Sequence, residues 1–437
     1  MKNRYLLFLL LSITSFTSRA QWSTATLPSG GRMQLAAAAI ADRAVFAGGI
    51  GLISIPPDVM DVYNLTFNTW TGGNISQGRN KLAGAANGSF LCFAGGANDW
   101  IFAVYDNVDF YNRITNSWST TALSAARYSL SGAAAGSKML FAGGMDNNGT
   151  YFTTVDIYDT TTSAWTTAAL SAGRGNLASA TTPTHAFFAG GEDANGASDV
   201  VDIYAASTGT WTTAQLSAPR TNLGGAACGS KVYFAGGVSG ATASNKVDIY
   251  DLTTNTWTTD TLSVARQFVM VSSVGKYVLF AGGADANGFT AYDVVDILDT
   301  ATGTWTTATL ASARFAGAIA SIGNKVIIAG GAGSTGFPVA TAEIYTLNTT
   351  GLFIPEAAEG LLVYPNPSNG LMNINTSSLT GDSKVEIYTL QGQLVYDNTF
   401  TGNPSNIQLN LSDLSAGEYL VKVSDEKGVR TEMVQIQ

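Results

Sequence analysis

Residues 220–257 read RTNLGGAACGSKVYFAGGVSGATASNKVDIYDLTTNTW, and most of the chain restates them. The marks to follow are Arg220, the doublet Gly236-Gly237, Asp248 and Trp257. The doublet recurs at Gly48-Gly49, Gly95-Gly96, Gly143-Gly144, Gly190-Gly191, Gly282-Gly283 and Gly330-Gly331. An Arg stands sixteen residues before the first Gly of all seven pairs: Arg32, Arg79, Arg127, Arg174, Arg220, Arg266 and Arg314. An acid follows each doublet: Asp61, Asp109, Asp156, Asp202, Asp248, Asp296 and Glu343. Nine residues beyond the first six acids come Trp70, Trp118, Trp165, Trp211, Trp257 and Trp305. The seventh acid has Leu352 there instead, and the missing ring is Trp22, ahead of Arg32.

A repeat of roughly 47 residues means stacked units, each unable to bury its own apolar face alone. One unit reads as four short strands: Asn222–Ala227, Lys231–Phe234 after a turn at Gly229-Ser230, Lys246–Tyr250, and Thr256–Thr259. Strands this short, separated by turn residues, suit four-stranded sheets repeated radially. Gly-Gly supplies positive φ and close backbone approach. The Trp has the area to fill a wedge between sheets. The phase of the ends predicts that the Trp22 strand completes the seventh sheet beside Glu343–Tyr345, which removes a loose seam.

Gly doublet, Val-Asp-Ile-Tyr strand and Trp together resemble the kelch repeat family. Val155-Asp156-Ile157-Tyr158, Val201-Asp202-Ile203-Tyr204 and Val247-Asp248-Ile249-Tyr250 carry the likeness best, and it spans about 22–350. The resemblance implies an all-β chain built on a seven-bladed kelch-type β-propeller. It implies little about function, because function lives in sites grafted on folds.

After Tyr345 the repeat stops. Residues 348–360 read as a linker. Residues 361–437 hold short strands at Met372–Asn375, Val385–Leu390, Gln393–Tyr396, Ile407–Leu411, Tyr419–Val423 and Thr431–Ile436, enough for a small Ig-like antiparallel β-sandwich. Val363-Tyr364-Pro365-Asn366-Pro367, the Gln391-Gly392-Gln393 turn and Leu414-Ser415-Ala416-Gly417-Glu418-Tyr419 resemble the C-terminal sorting domain of type IX secretion substrates. That resemblance implies a Bacteroidetes-type origin, passage across the outer membrane through the secretion machinery, and often attachment at the cell surface. At the other end, Lys2 and Arg4, the apolar run Tyr5–Leu11 and Ser18-Arg19-Ala20 read as a secretory signal peptide over 1–20, cut before Gln21. The run is too short to span a membrane, so no span is expected in the mature protein. The propeller then covers 21–347.

Composition narrows the chemistry. Of 437 residues, 31 are acidic and 22 basic, a net charge of −9, which argues against a nucleic-acid partner. One His and two Cys leave too few ligands for the usual zinc sites or a multi-imidazole copper site, so neither metal nor cofactor is expected. His185 fills a slot held by Arg43, Lys138, Lys231 and Lys325 in other repeats, so it reads as an exposed hairpin end and no catalytic residue is assigned. Cys92 stands where other repeats carry Val45, Leu140, Phe187, Tyr233, Leu279 and Ile327, and Cys228 where they carry Ala135, Val274 and Ile322; both read as buried small hydrophobes, far apart around the ring and unbonded. The seven Arg and seven acids recur in every repeat, as a structural device does and a site does not. Asp146-Asn147-Asn148-Gly149, Asp193-Ala194-Asn195-Gly196 and Asp285-Ala286-Asn287-Gly288 read as turns; a calcium loop would need later ligands.

Recognition is expected where the repeat varies. Ten to twelve residues separate doublet from acid, and these loops should emerge on one face. They carry Trp100, Phe102 and Tyr105 in repeat 2, Tyr151 and Phe152 in repeat 3, Phe289 and Tyr292 in repeat 6, and Phe337 in repeat 7. Repeat 1 carries Ile53, Ile55, Pro56 and Pro57. Repeats 4 and 5 have no aromatics there, so an aromatic arc with a polar gap is expected, suited to sugar rings or a partner's apolar anchors. Two residues after each Arg come Gln34, Lys81, Ser129, Asn176, Asn222, Phe268 and Ala316, which would line a channel mouth if the first strand is innermost. The expected function is an exported cell-surface or secreted binding or adhesion protein with an unknown protein or glycan ligand. One alternative is a glycan-processing enzyme (hydrolase, lyase or epimerase) using channel-mouth carboxylates, with Asp99, Asp106, Glu192, Asp193 and Asp199 available. The other is a structural surface-layer component.

Overall fold

The computed structural model describes residues 21–52, 55–347, 363–375, 381–389, 393–402, 406–425 and 428–437. The signal peptide at 1–20, the linker at 348–360, Ile53 and the Gln391-Gly392 turn lie outside the described residues. The chain divides into two compact units, Met1–Asn348 and Thr349–Gln437.

Unit one is built on seven four-stranded antiparallel sheets, with short two-stranded hairpins in the loops of blades 2, 4 and 5. The third is typical: Ser131–Ala135, Lys138–Ala142, Thr154–Asp159 and Ala164–Ala169 pair in sequence order. The second strand of each blade is covered on both faces, so Met139-Leu140-Phe141-Ala142 is one apolar run without alternation. The outer strand is mostly exposed; in this blade it turns Trp165 and Ala168 inward. First strands touch first strands of neighbouring blades, which puts them innermost. In blade 5 that strand is Gly224–Cys228 rather than Asn222–Ala227, because Asn222 has φ +54° and cannot continue a strand.

The ring closes through mixed ends. Gln21–Thr26 pairs with Thr341–Thr346, with Trp22 opposite Tyr345 and the two rings 5.2 Å apart. The Gly doublets stitch neighbours together. Both members of each pair have positive φ. The second donates its N–H to the Arg carbonyl of the next blade, as Gly96 does to Arg127 (3.0 Å), and Gly331 to Arg32 (2.8 Å) across the seam. A Cβ on Gly95 would sit 2.5 Å from the Arg127 oxygen, so only Gly fits.

The Trp rings lie between blades, as Trp165 does beside the Phe110, Met139 and Phe141 cluster of blades 2 and 3. Most are half-buried and Trp118 is exposed; Trp165 lies 5.2 Å from the Tyr158 ring. Trp165→Ala should therefore cost less than the roughly 3–5 kcal/mol of a fully enclosed ring.

Unit two holds a three-stranded sheet (Val363–Tyr364, Leu371–Asn375, Asn406–Asn410) and a four-stranded one (Leu394–Phe400, Ser383–Thr389, Gly417–Asp425, Gly428–Ile436). Met372, Ile374, Val385, Ile387, Ile407, Leu409, Val421 and Val423 form its core. On this unit Lys422 (2.6 Å) and then Lys384 (3.1 Å) hydrogen-bond Glu386 and hold its carboxyl down at about 2. A depressed carboxyl stabilises the fold above its unfolded value near 4.5, and the contribution is lost as pH falls toward 2. Acid unfolding of the Glu386→Gln variant should lack this component, worth about 1 kcal/mol after solvent screening.

Candidate binding face

Gln34, Lys81, Ser129, Asn176, Asn222, Phe268 and Ala316 all line one cavity of about 680 Å³ at the axis of the ring. Their φ angles fall between +49° and +57°. The left-handed turn lets five of the seven backbones donate to the neighbouring rim residue. Lys81 N–H donates to Gln34 O (3.1 Å), Ser129 to Lys81 (2.9 Å), Asn176 to Ser129 (2.9 Å), Phe268 to Asn222 (2.8 Å) and Gln34 to Ala316 (2.7 Å). Below this rim Leu35, Leu82, Leu130, Leu177, Leu223 and Val269 form an apolar collar.

The rim is asymmetric. On blades 2 to 4, Lys81 lies 3.0 Å from Asp99 and its ammonium 5.1 Å from the Tyr128 ring centre; Glu192 accepts from Asn176 (2.8 Å). On blades 6 and 7 the Phe268 and Phe315 rings lie 5.9 Å apart. Asn80 is fully buried and donates to Gln34 (2.7 Å) and Asp99 (2.9 Å), while its own Oδ1 has no partner. Sequence reasoning missed Tyr128, Phe315 and Asn80; all three stand one residue after a repeat Arg, a position whose identity changes in every blade.

The variable loops surround this mouth. The residue after each Arg bridges to the residue after each doublet, as Asn80 does to Ala97 and Tyr128 to Met145, so loops and mouth share a face. Of the eight candidate rings, Trp100 (62%), Phe102 (83%), Phe289 (79%) and Phe337 (62%) stand exposed. The other four are half-buried. Three of these occupy a recurring backbone slot. Tyr105, Phe152 and Tyr292 donate to the doublet carbonyls of Gly96, Gly144 and Gly283, as Ser198 and Ser244 do to Gly191 and Gly237. That slot is in repeat phase, so their backbones are fixed by the blade. Tyr151 bridges to Met145 within its own loop. The exposed rings thus come from blades 6, 7 and 2, joined through blade 1 by exposed Leu52 and Ile55. Phe102 has φ +54°, and its carbonyl accepts from Asn147 of the next blade (2.8 Å), which pins the Trp100-Ile101-Phe102 tip.

The remaining candidates carry structure. Arg127 donates to Asp156 (2.7 Å), to the Phe141 carbonyl (3.0 Å) and to Gly143 (2.7 Å), and the other six Arg repeat the pairing. Asp156 also caps the incoming chain at Ser124 N–H (3.0 Å), which joins blade 2's outgoing strand to blade 3. His185 is half-buried rather than exposed, its Nδ1 2.9 Å from Thr184. Both Cys are free. Cys92 is buried, and burial pushes its thiol up; Cys228 is only half-buried and donates weakly to the Gly275 carbonyl (3.4 Å). Asp146 and Asp285 accept backbone N–H groups of their own turns, at Asn148 and Thr150 and at Phe289 and Thr290. Among the described residues no group of three His, Cys, Asp or Glu is placed to hold a metal, and no helix is long and apolar enough to cross a membrane.

Seven blades of this geometry define a β-propeller of the repeat class, followed by a small β-sheet domain. The KLHDC2/KLHL20/DRC7 kelch-repeats domain matches residues 133–331, and the secretion system C-terminal sorting domain matches residues 362–437. The chain is a kelch propeller carrying a C-terminal sorting domain, which directs it to the cell surface or beyond. No curated protein matches the sequence. Among solved structures, that titled "Structure of YjhT" is similar over 65% of this chain and 99% of its own, with 16% identity and a TM-score of 0.52, a likeness of fold.

Proposed function

We propose that the protein is an exported binding or adhesion module that recognises its ligand on the variable-loop face of the propeller. The observation that carries this is the exposed ring set Trp100, Phe102, Phe289 and Phe337. Among the described residues none of the four makes a ring contact with the core, while six repeat-phase Trp lie edge-on or tilted against a neighbouring Tyr at 5.0–5.3 Å and Trp305 lies 5.3 Å from Phe280. Exposed apolar rings on a rigid scaffold mark recognition surfaces. Gln34, Lys81, Ser129, Asn176 and Asn222 supply polar groups at the centre of the same face. At the same rim Asp99 pairs with Lys81 (3.0 Å) and accepts from Asn80 (2.9 Å).

Trp100→Ala should weaken capture of the ligand by about 2 kcal/mol or more, as loss of an interface anchor does. The melting temperature should shift by much less than for Trp165→Ala. Calorimetry of both variants beside an adhesion assay reads the two effects apart, and a Trp100→Ala protein that binds normally overturns the proposal. Removing 361–437 should leave the propeller folded, since the two units have separate cores, while the truncated protein no longer reaches the cell surface. Cell fractionation with circular dichroism of the product checks both halves.

A further inference from the structure

The charge of the binding face is not that of the whole chain. Between the doublets and the repeat acids the seven loops carry nine acids and one base, Lys246, against 31 acids and 22 bases overall. Among the described residues, the one cation these loop acids pair with is Lys81, on Asp99. Asp146, Glu192, Asp193 and Asp285 therefore keep a negative field over the mouth. Glu192 lines the cavity itself, and burial and then the charges of Asp99, Asp146 and Glu192 push the Tyr128 hydroxyl up. Such a surface repels anionic polymers and collects cations. It is also strongly apolar, with Trp100, Ile101 and Phe102 exposed together and a leucine collar below the rim. Aromatic faces next to carboxylates attract ammonium and guanidinium groups twice over, through the ring quadrupole and through Coulomb attraction.

Resting on the binding-face reading above, we propose that the partner is a cationic polypeptide segment, Lys- or Arg-bearing with apolar side chains between its charges. The cations meet Glu192, Asp146 and Asp193, and the apolar side chains meet Trp100, Phe102 and the collar. A sugar chain would use the rings but not the surplus of acids.

The test uses the full chain and three probes: an alternating Lys/Leu peptide of about ten residues, its Glu/Leu counterpart, and a neutral cello-oligosaccharide. The Lys/Leu peptide should bind and the Glu/Leu peptide should not. Its affinity should fall at least about tenfold between roughly 0.05 M and 0.5 M salt. Glu192→Gln with Asp146→Asn should weaken it about fivefold, while Asp251→Asn, at the other end of the blades, should not. Trp100→Ala with Phe102→Ala leaves the charge unchanged and should weaken it about tenfold. Absence of Lys/Leu binding overturns the proposal, as does binding indifferent to the ring pair or equally sensitive to Asp251→Asn. Should the cello-oligosaccharide bind through Trp100 while the Lys/Leu peptide does not, the partner class fails and the binding face stands. Should no probe depend on Trp100, both fail.

Discussion

Asp156→Ala is expected to destabilise the propeller by about 3–5 kcal/mol, the cost of stranding a buried charge. Arg127 is fully buried, and burial lowers the pKa that Asp156 raises. A guanidinium does not shed its proton in a protein, so the charge stays and loses its partner. The substitution also frees the Ser124 N–H that Asp156 accepts, opening the link from blade 2 to blade 3. Urea unfolding of the variant should show a lower midpoint with an unchanged slope if the ring still unfolds as one unit. The double variant Arg127→Met with Asp156→Leu should recover part of the loss, because it removes the stranded charge. A single variant as stable as the wild type would show that the pairs are decorative.

Deleting residues 21–27 is expected to cost on the order of 5 kcal/mol or more, from roughly one kcal/mol per lost strand hydrogen bond and the apolar surface uncovered. The segment supplies the outer strand of the seventh blade, the Trp22 ring against Tyr345, and Leu27, which is 1% exposed and donates to the Ala340 carbonyl (2.9 Å). Without it Thr341–Thr346 becomes a bare edge. A loss near the usual stability of a domain should appear as an aggregating or monomer-poor protein in size-exclusion chromatography. Normal melting of the deletion would show that the contacts between blades 7 and 1, among them Gly331 to Arg32 and Gln34 to Ala316, close the ring without the added strand.

The order of events on the chain follows from the same joint. The first strand made pairs with the last blade, more than 300 residues later. Such a contact has a large loop-closure cost and forms late, so the ring should shut only after the seventh blade exists.

The sequence determined the number of blades, their strand order and the closing ends. It did so because a fixed Arg-to-Gly spacing of sixteen residues is set by one hydrogen bond, from the Arg side chain to the Gly carbonyl of its own blade, repeated seven times. The Arg–acid pairs were legible for the same reason: what recurs in every repeat must serve every blade. The ring of left-handed residues at the mouth was not legible. Asn176 and Asn222 suit that conformation, but Phe268 and Ala316 adopt it as well, because the backbone hydrogen bonds between blades exist only once the ring is closed. Exposure divided the loop aromatics in the same way. Tyr105, Phe152 and Tyr292 share composition with Trp100 and Phe102, yet they sit on the backbone slot that Ser198 and Ser244 fill elsewhere. Only packing across neighbouring blades decides which rings face inward and which face water, since that contact joins residues far apart in the chain and no local pattern encodes it.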